Sequence, residues 1–182
     1  MLRVERVKHR LTRKMMPARL SELGADGLEG YASIFGARDG IGDVVASGAF
    51  AASLRRRGTA GVRMLYQHFA YEPIGVWDEI REDARGLYVR GHLVTEVERA
   101  RDVAALLRAG ALGGLSIGFK TVRAKKEQVG GTRTLLQVDL WEISVVTFPL
   151  LEAASVTGIG NGDGNGALAA DFRQMARALT AN

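Results

Sequence analysis

The sequence predicts a mainly β domain of the α+β class, an antiparallel barrel or sandwich with helices on its outside. Two observations predict it. Short β-rich runs, separated by turns of Gly, Asp and Pro, recur along the middle of the chain, and only two helical patterns interrupt them. No β-α-β unit repeats, which argues against a doubly wound parallel sheet.

The elements follow in order. Leu28–Phe35 reads as a strand. Asp39-Gly40 and Gly42-Asp43 are turn chemistry. Ser47 is placed to cap a helix that runs through Phe50 and Leu54 to Arg57 and stops at Gly58. Val62–Gln67 is β-rich. Ile74–Ile80 and Gly86–Val94 read as paired strands around the polar turn 81–85. Val97–Ala109 is a second helix, ended by Gly110. Leu115–Val122 and Thr134–Val146 are strands joined by the polar segment 125–132, and Pro149 closes the last of them. Trp77 and Trp141 read as core anchors.

This body is expected to span residues 21–160, between a basic arm (1–20) and a tail (161–182). The glycine-rich stretch 158–166 has the composition of a flexible linker. Leu168, Phe172, Met175 and Leu179 beyond it have helical spacing, over a length too short to be stable alone.

The net charge of +5 belongs to the arm. Residues 1–19 hold seven of the 25 Lys/Arg and one of the 20 Asp/Glu, so the arm is +6 and the rest −1. A solvated leader, or one that meets an acidic partner, fits this pattern; the near-neutral body lacks the clustered aromatics on a basic face that single-strand binders use. No apolar run approaches the length of a membrane span, and the N-terminal residues lack the apolar stretch of a secretory signal. With no cysteine there is no disulfide framework and no thiolate nucleophile. The absence of His-Glu-x-x-His, of a close His/Asp cluster and of a Gly-Lys-Ser/Thr loop leaves no expected metal or cofactor.

Three histidines are available as a base. His9 lies in the charged arm, and His92 lies in a strand on a solvated face. His68 stands where an apolar strand opens into a loop, the place where a scaffold presents functional side chains. Gly114-Leu115-Ser116-Ile117-Gly118 matches G-x-S-x-G. It is not the α/β-hydrolase elbow, because a helix precedes the serine, a strand follows it, and no histidine comes after it. The small neighbours do let a substrate backbone approach Ser116 closely. The bland alternative is an ordinary serine at a glycine-flanked strand entry.

A serine nucleophile needs a base, and the base needs an orienting group. That group is a carboxylate here, and Asp139 and Glu142 are the candidates in the strand 138–146. On strict alternation Glu142 shares a face with Leu140 and Ser144, and Asp139 lies opposite with Trp141 and Ile143. An acid in so apolar a run is costly unless paired. A structural ion pair with arginine explains Glu142 as well as catalysis does.

Taken together the blocks resemble one family, the prohead (capsid-maturation) proteases of tailed phages and related gene-transfer particles. The blocks are Leu-Glu-Gly-Tyr-Ala-Ser-Ile-Phe-Gly (28–36), Gly-Asp-Val-Val (42–45), Gly-Ala-Phe-Ala-Ala-Ser-Leu (48–54) and Leu-Tyr-Gln-His (65–68). Pro-Ile-Gly (73–75), Gly-Leu-Tyr-Val-Arg-Gly (86–91), Gly-Leu-Ser-Ile-Gly-Phe (114–119), Trp-Glu-Ile-Ser-Val-Val (141–146) and Pro149 complete the set. The resemblance implies a herpesvirus-protease-like β-barrel flanked by helices, with His68 as base and Ser116 as nucleophile. The herpesvirus enzymes use a second histidine as third member. This chain has none after Ser116, so Glu142 is the candidate in its place. The chain departs from the family after the last strand, where Phe-Pro-Leu-Leu-Glu-Ala-Ala (148–154) replaces Pro-Ala and a polar residue.

The implied activity is that of a serine endopeptidase. It would cleave the scaffolding segment of the major capsid protein precursor, inside the assembling procapsid in the bacterial cytoplasm. No cofactor, membrane or nucleic acid is implied, and a homo-oligomer is left open. The alternative is a catalytically silent scaffold or assembly protein with the same fold.

Overall fold

Alternation of apolar and polar side chains along a strand buries one face and wets the other. Leu87, Val89 and Leu93 are buried in this way while Tyr88, Arg90 and His92 between them face outward. The structure, a computed structural model, describes residues 23–126 and 132–162. In chain order the elements are β1 (Gly27–Ile34), β2 (Asp43–Val45), α1 (Ala51–Arg57), β3 (Arg63–Tyr66), β4 (Pro73–Glu82) and β5 (Gly86–Leu93). They continue with α2 (Glu98–Arg108), β6 (Gly114–Lys126), β7 (Arg133–Val146) and β8 (Ser155–Ile159).

The strands close a barrel in the order β7-β3-β4-β5-β1-β8-β6 and back to β7, and β2 adds to the edge of β7 that also carries β3. The expected barrel with external helices is therefore present. It differs from a purely antiparallel one along one edge of β7, where β3 within the barrel and β2 outside it both run parallel to β7. For the pair within the barrel the reason is parity: a closed ring with an odd number of strands cannot alternate in direction all the way round, so at least one neighbouring pair must be parallel.

Leu28, Met64, Leu87, Val89, Leu115, Leu135, Leu140, Ile143 and Val145 fill one core cluster. The amphipathic helix α2 adds Ala100, Val103, Ala104 and Leu107 to it. Helix α1 covers the edge of β7 between β2 and β3. Its buried Ser53 Oγ accepts the Leu140 N–H at 2.9 Å and donates to Asp139 Oδ1 at 3.3 Å. Gly58, at φ +63°, ends α1 where the sequence places its stop.

Several expectations need correction. Ser47 caps nothing: Gly48, at φ +85°, turns the chain first, and α1 begins after Phe50, whose N–H donates to Glu82 Oε1 at 3.0 Å. Two strands lie outside the predicted elements: β2 begins in the expected turn at Gly42-Asp43, and β8 ends inside the expected linker from Gly158. Both are too short to show a period, and they form because a neighbouring strand offers an edge. Residues 158–162 belong to the body, with the Gly160 and Gly162 N–H groups bonded to Gly27 O and Ala25 O. The basic arm, the rest of the linker and the segment 167–180 lie outside the described residues. Trp77 is a core anchor, but Trp141 is 54% exposed. It lies under the Arg57 guanidinium and donates its indole N–H to Asp139 Oδ2 at 3.0 Å.

The face assignment of Glu142 also changes. Gly118 pairs with Glu142 and Phe119 with Leu140, so Trp141 has no partner and β7 bulges there. Leu140 and Ile143 both point into the core, and Trp141 and Glu142 both point out. Glu142 therefore shares its face with Ser144 and not with Leu140.

Leu140 is fully buried at this bulge. Leu140→Ala should lower unfolding free energy by about 2–5 kcal/mol, read as a reduced urea midpoint with an unchanged slope.

Candidate active site

Three local features set His68 over Glu142. First, the parallel seam ends at Tyr66, and the ladder is extended by the Gln67 N–H to Val145 O bond at 3.0 Å. Second, Gln67 and His68 both adopt positive φ, +52° and +62°. This left-handed backbone costs an ordinary residue roughly 1–2 kcal/mol and turns His68 back over β7. Third, the Gln67 amide and Thr147 hold the turn: Gln67 Nε2 donates to Thr147 Oγ1 at 2.7 Å and the Thr147 N–H donates to Gln67 Oε1 at 3.3 Å.

His68 Nδ1 then lies 2.7 Å from Glu142 Oε1. The Glu142 side chain is only 13% exposed, whereas that of His68 is 44% exposed. Its other oxygen, Oε2, accepts the Ser144 hydroxyl at 2.7 Å, and Ser144 Oγ accepts the His68 backbone N–H at 3.1 Å. The hydrogen bond to Glu142 holds the His68 pKa above its ordinary value; partial burial opposes this and the carboxylate charge supports it. Ser116 pairs with Ser144 across β6 and β7, and Gly118 pairs with Glu142. Paired residues of neighbouring strands project to the same side, so Ser116 stands on the face that carries Glu142 and Ser144. A Cβ on Gly118 would lie 2.0 Å from Glu142 Oε1, so the bare glycine provides the space the carboxylate occupies. Ser116 Oγ forms no hydrogen bond among the described residues, and Ser116 is one of the residues around a cavity of about 50 Å³ whose apolar walls include Leu115, Ile117, Phe119, Leu150 and Leu151. No hydrogen bond joins Ser116 to His68 among the described residues.

The two candidate acids are sorted by their surroundings. Asp139 is engaged by Arg57 through Nε and Nη2, each at 2.8 Å, and by Arg56 and the Trp141 indole. The Arg57 hydrogen bonds hold its carboxyl far below the usual range against the opposing effect of burial. Asp139 is thus a structural ion pair that ties α1 to β7, and Glu142 is the acid that meets the histidine. His92 is remote from this constellation, with Nδ1 3.1 Å from Asp78 Oδ2 on exposed β4 and β5. The residue that sequence reasoning passed over is Ser144. Its signal was the Glu-Ile-Ser spacing, which puts two polar groups on one face of an apolar strand. No cluster of metal-ligating side chains occurs among the described residues.

A family model described as caudovirus prohead serine protease matches residues 14–163, most of the chain. The chain belongs to that family. The prohead protease of Enterobacteria phage HK97 is 38% identical over 138 residues, which cover 75% of this chain and 61% of the relative. The chain thus spans about three fifths of that relative's length. The solved capsid assembly protease of bacteriophage T4 aligns with a TM-score of 0.56 at 12% identity, over 68% of this chain and 82% of that one. This likeness is one of fold. The KSHV protease solved with a hexapeptide phosphonate inhibitor aligns at a TM-score of 0.47 and 12% identity, over 71% of this chain and 63% of that one. The prohead serine protease match covers every described strand, including β8, which the sequence pattern alone had not revealed.

For this family member the His68–Glu142 pair has a direct signature. By NMR, His68 should titrate with a midpoint above the ordinary imidazole value of about 6.5. A raised folded-state value means that the pair stabilises the fold below that pH and that this contribution is lost as pH rises through the folded midpoint. Gly118→Ala should displace the carboxylate and return the midpoint toward that of a free imidazole, with the barrel still folded. A midpoint unmoved by Gly118→Ala would mean that Glu142 is not what raises it.

Proposed function

We propose that the chain is a serine endopeptidase that cleaves the scaffolding segment of the capsid protein precursor during prohead maturation, inside the assembling procapsid. Ser116 is the nucleophile, His68 the general base and Glu142 the group that orients and supports the base. The observation that carries this reading is the 2.7 Å contact between His68 Nδ1 and the Glu142 carboxylate, made on the strand face that also bears Ser116. Membership of the prohead serine protease family supports a capsid-assembly substrate. No helix among the described residues is long and apolar enough to cross a membrane.

The chemistry follows from the tautomer. With Nδ1–H donated to Glu142, Nε2 of the neutral ring keeps its lone pair. It takes the Ser116 proton as Oγ attacks the peptide carbonyl, and the resulting imidazolium is stabilised by Glu142. The same proton passes to the departing amine as the C–N bond breaks and the acyl-enzyme forms. Water, deprotonated by His68, then cleaves the ester and restores Ser116. Glu142 acts throughout as a fixed charge and never has to accept a proton. A catalytically silent assembly protein of this fold would gain nothing from a histidine held in a strained turn over a mostly buried carboxylate.

The test is cleavage of capsid precursor by the purified chain. Ser116→Ala and His68→Ala should each lower kcat by roughly 10⁶, and Glu142→Gln by roughly 10⁴. The base must be neutral to work, so the acid limb of kcat/KM should fall above pH 6.5, the reference imidazole value of about 6.5 being raised by Glu142. A folded Ser116→Ala protein that still cleaves would overturn the mechanism.

A further inference from the structure

Ser144 is completely buried, yet it sits in a run, Ile143 to Val146, where an apolar residue would pack without cost to hydration. Its hydroxyl is used twice. Oγ accepts the backbone N–H of His68 at 3.1 Å and donates its proton to Glu142 Oε2 at 2.7 Å. One atom therefore touches the main chain of the base and the second oxygen of the acid. The first oxygen of that acid, Oε1, is the one that meets His68 Nδ1. The three groups close a loop: imidazole to carboxylate, carboxylate to hydroxyl, hydroxyl to the histidine backbone.

The seam explains why such a tie is needed. The β3–β7 ladder makes its last backbone bond at Gln67, one residue before His68, and both residues are in the left-handed region. Beyond that point the Ser144 hydroxyl is the bond that holds the histidine main chain to β7. Glu142 in turn follows the bulge at Trp141, where the ladder is interrupted. Base and acid thus both sit at irregular points of their strands.

We propose that Ser144 is a positioning residue that fixes His68 and Glu142 relative to each other across the parallel seam. This rests on the reading of His68, Ser116 and Glu142 as the reacting and orienting groups. Ser144 itself does not touch the substrate.

The experiment compares Ser144→Ala, Ser144→Thr and Ser144→Cys with Ser53→Ala in the full chain. Ser53 is a matched control: it too is a buried serine whose hydroxyl bonds to a β7 N–H and a β7 carboxylate, at Leu140 and Asp139, away from the site. Capsid-precursor cleavage should show Ser144→Ala losing about 10- to 100-fold in kcat, as expected for a misplaced catalytic group, with KM changed by less than about twofold. Ser144→Thr, which keeps the hydroxyl, should recover most of that loss. Ser53→Ala should cost thermal stability but leave kcat intact. The His68 Nδ1–H proton resonance gives a readout that does not depend on turnover: it should broaden or move in Ser144→Ala and stay in place in Ser53→Ala. If Ser144→Ala does not fold, Ser144→Cys, of similar size and with only a weak donor, should show the same loss of kcat and the same moved resonance. A folded Ser144→Ala or Ser144→Cys protein with wild-type kcat and an unmoved resonance overturns the proposal. So does equal damage from Ser53→Ala, which would make the effect one of general stability. Ser116→Ala run alongside separates the two levels: if it still cleaves, the catalytic reading fails, and if it is dead while Ser144→Ala is fully active, only the positioning role fails.

Discussion

A ring of strands with odd membership must contain a parallel pair, and in this barrel that pair is β3 with β7. The choice matters because parallel neighbours place their C-terminal ends at the same rim. The residues that follow β3 and those near the end of β7 are therefore neighbours in space, although more than seventy residues separate them in sequence. His68 comes just after β3, and Glu142 and Ser144 lie in the last turn-ward stretch of β7. An antiparallel pairing at this seam would send them to opposite ends of the barrel.

The second requirement is to set a charged group against an apolar barrel without burying it inside. The bulge at Trp141 meets it. Without the extra residue, strict alternation that buries Leu140 would also turn Glu142 into the core and expel Ile143. With it, Leu140 and Ile143 both contribute to the core, and Glu142 emerges onto the outer face. There it is covered by His68, satisfied by Ser144, and given room by Gly118 on the adjoining strand. Two acids three residues apart on the same face end up in different chemistry. Asp139 is neutralised by arginines from α1, and Glu142 is left with a partner whose own protonation can change.

Much of this was legible in the sequence where a residue's role is local. The strands β1, β4, β5, β6 and β7 and the helix α2 announce themselves by alternation or by helical spacing, because burial of one face is a property of a short segment. Gly58 and Gly110 mark helix ends for a similar reason: their positive φ, +63° and +74°, suits a residue without a side chain. His68 and Ser116 stood out by their type and flanks, in a chain with few histidines and one G-x-S-x-G. The bulge was also within reach, since Val138, Leu140, Ile143 and Val145 are apolar at spacings that alternation alone cannot bury together.

Local pattern is enough to place most strands and both helices, to pair β4 with β5 and β6 with β7, and to single out a serine, a histidine and two acids. Closure of the barrel decided which acid meets the histidine, that Trp141 is a surface residue, and that the Ser144 hydroxyl lies between the His68 main chain and Glu142. It also decided that β2 and β8 are strands, since three and five residues acquire that form only from a neighbour's unpaired edge. The physical reason is common to all four. A carboxylate in an apolar strand has the same local pattern whether an arginine or a histidine faces it. What faces it depends on where closure of the barrel, with its one parallel seam, brings segments distant in the chain.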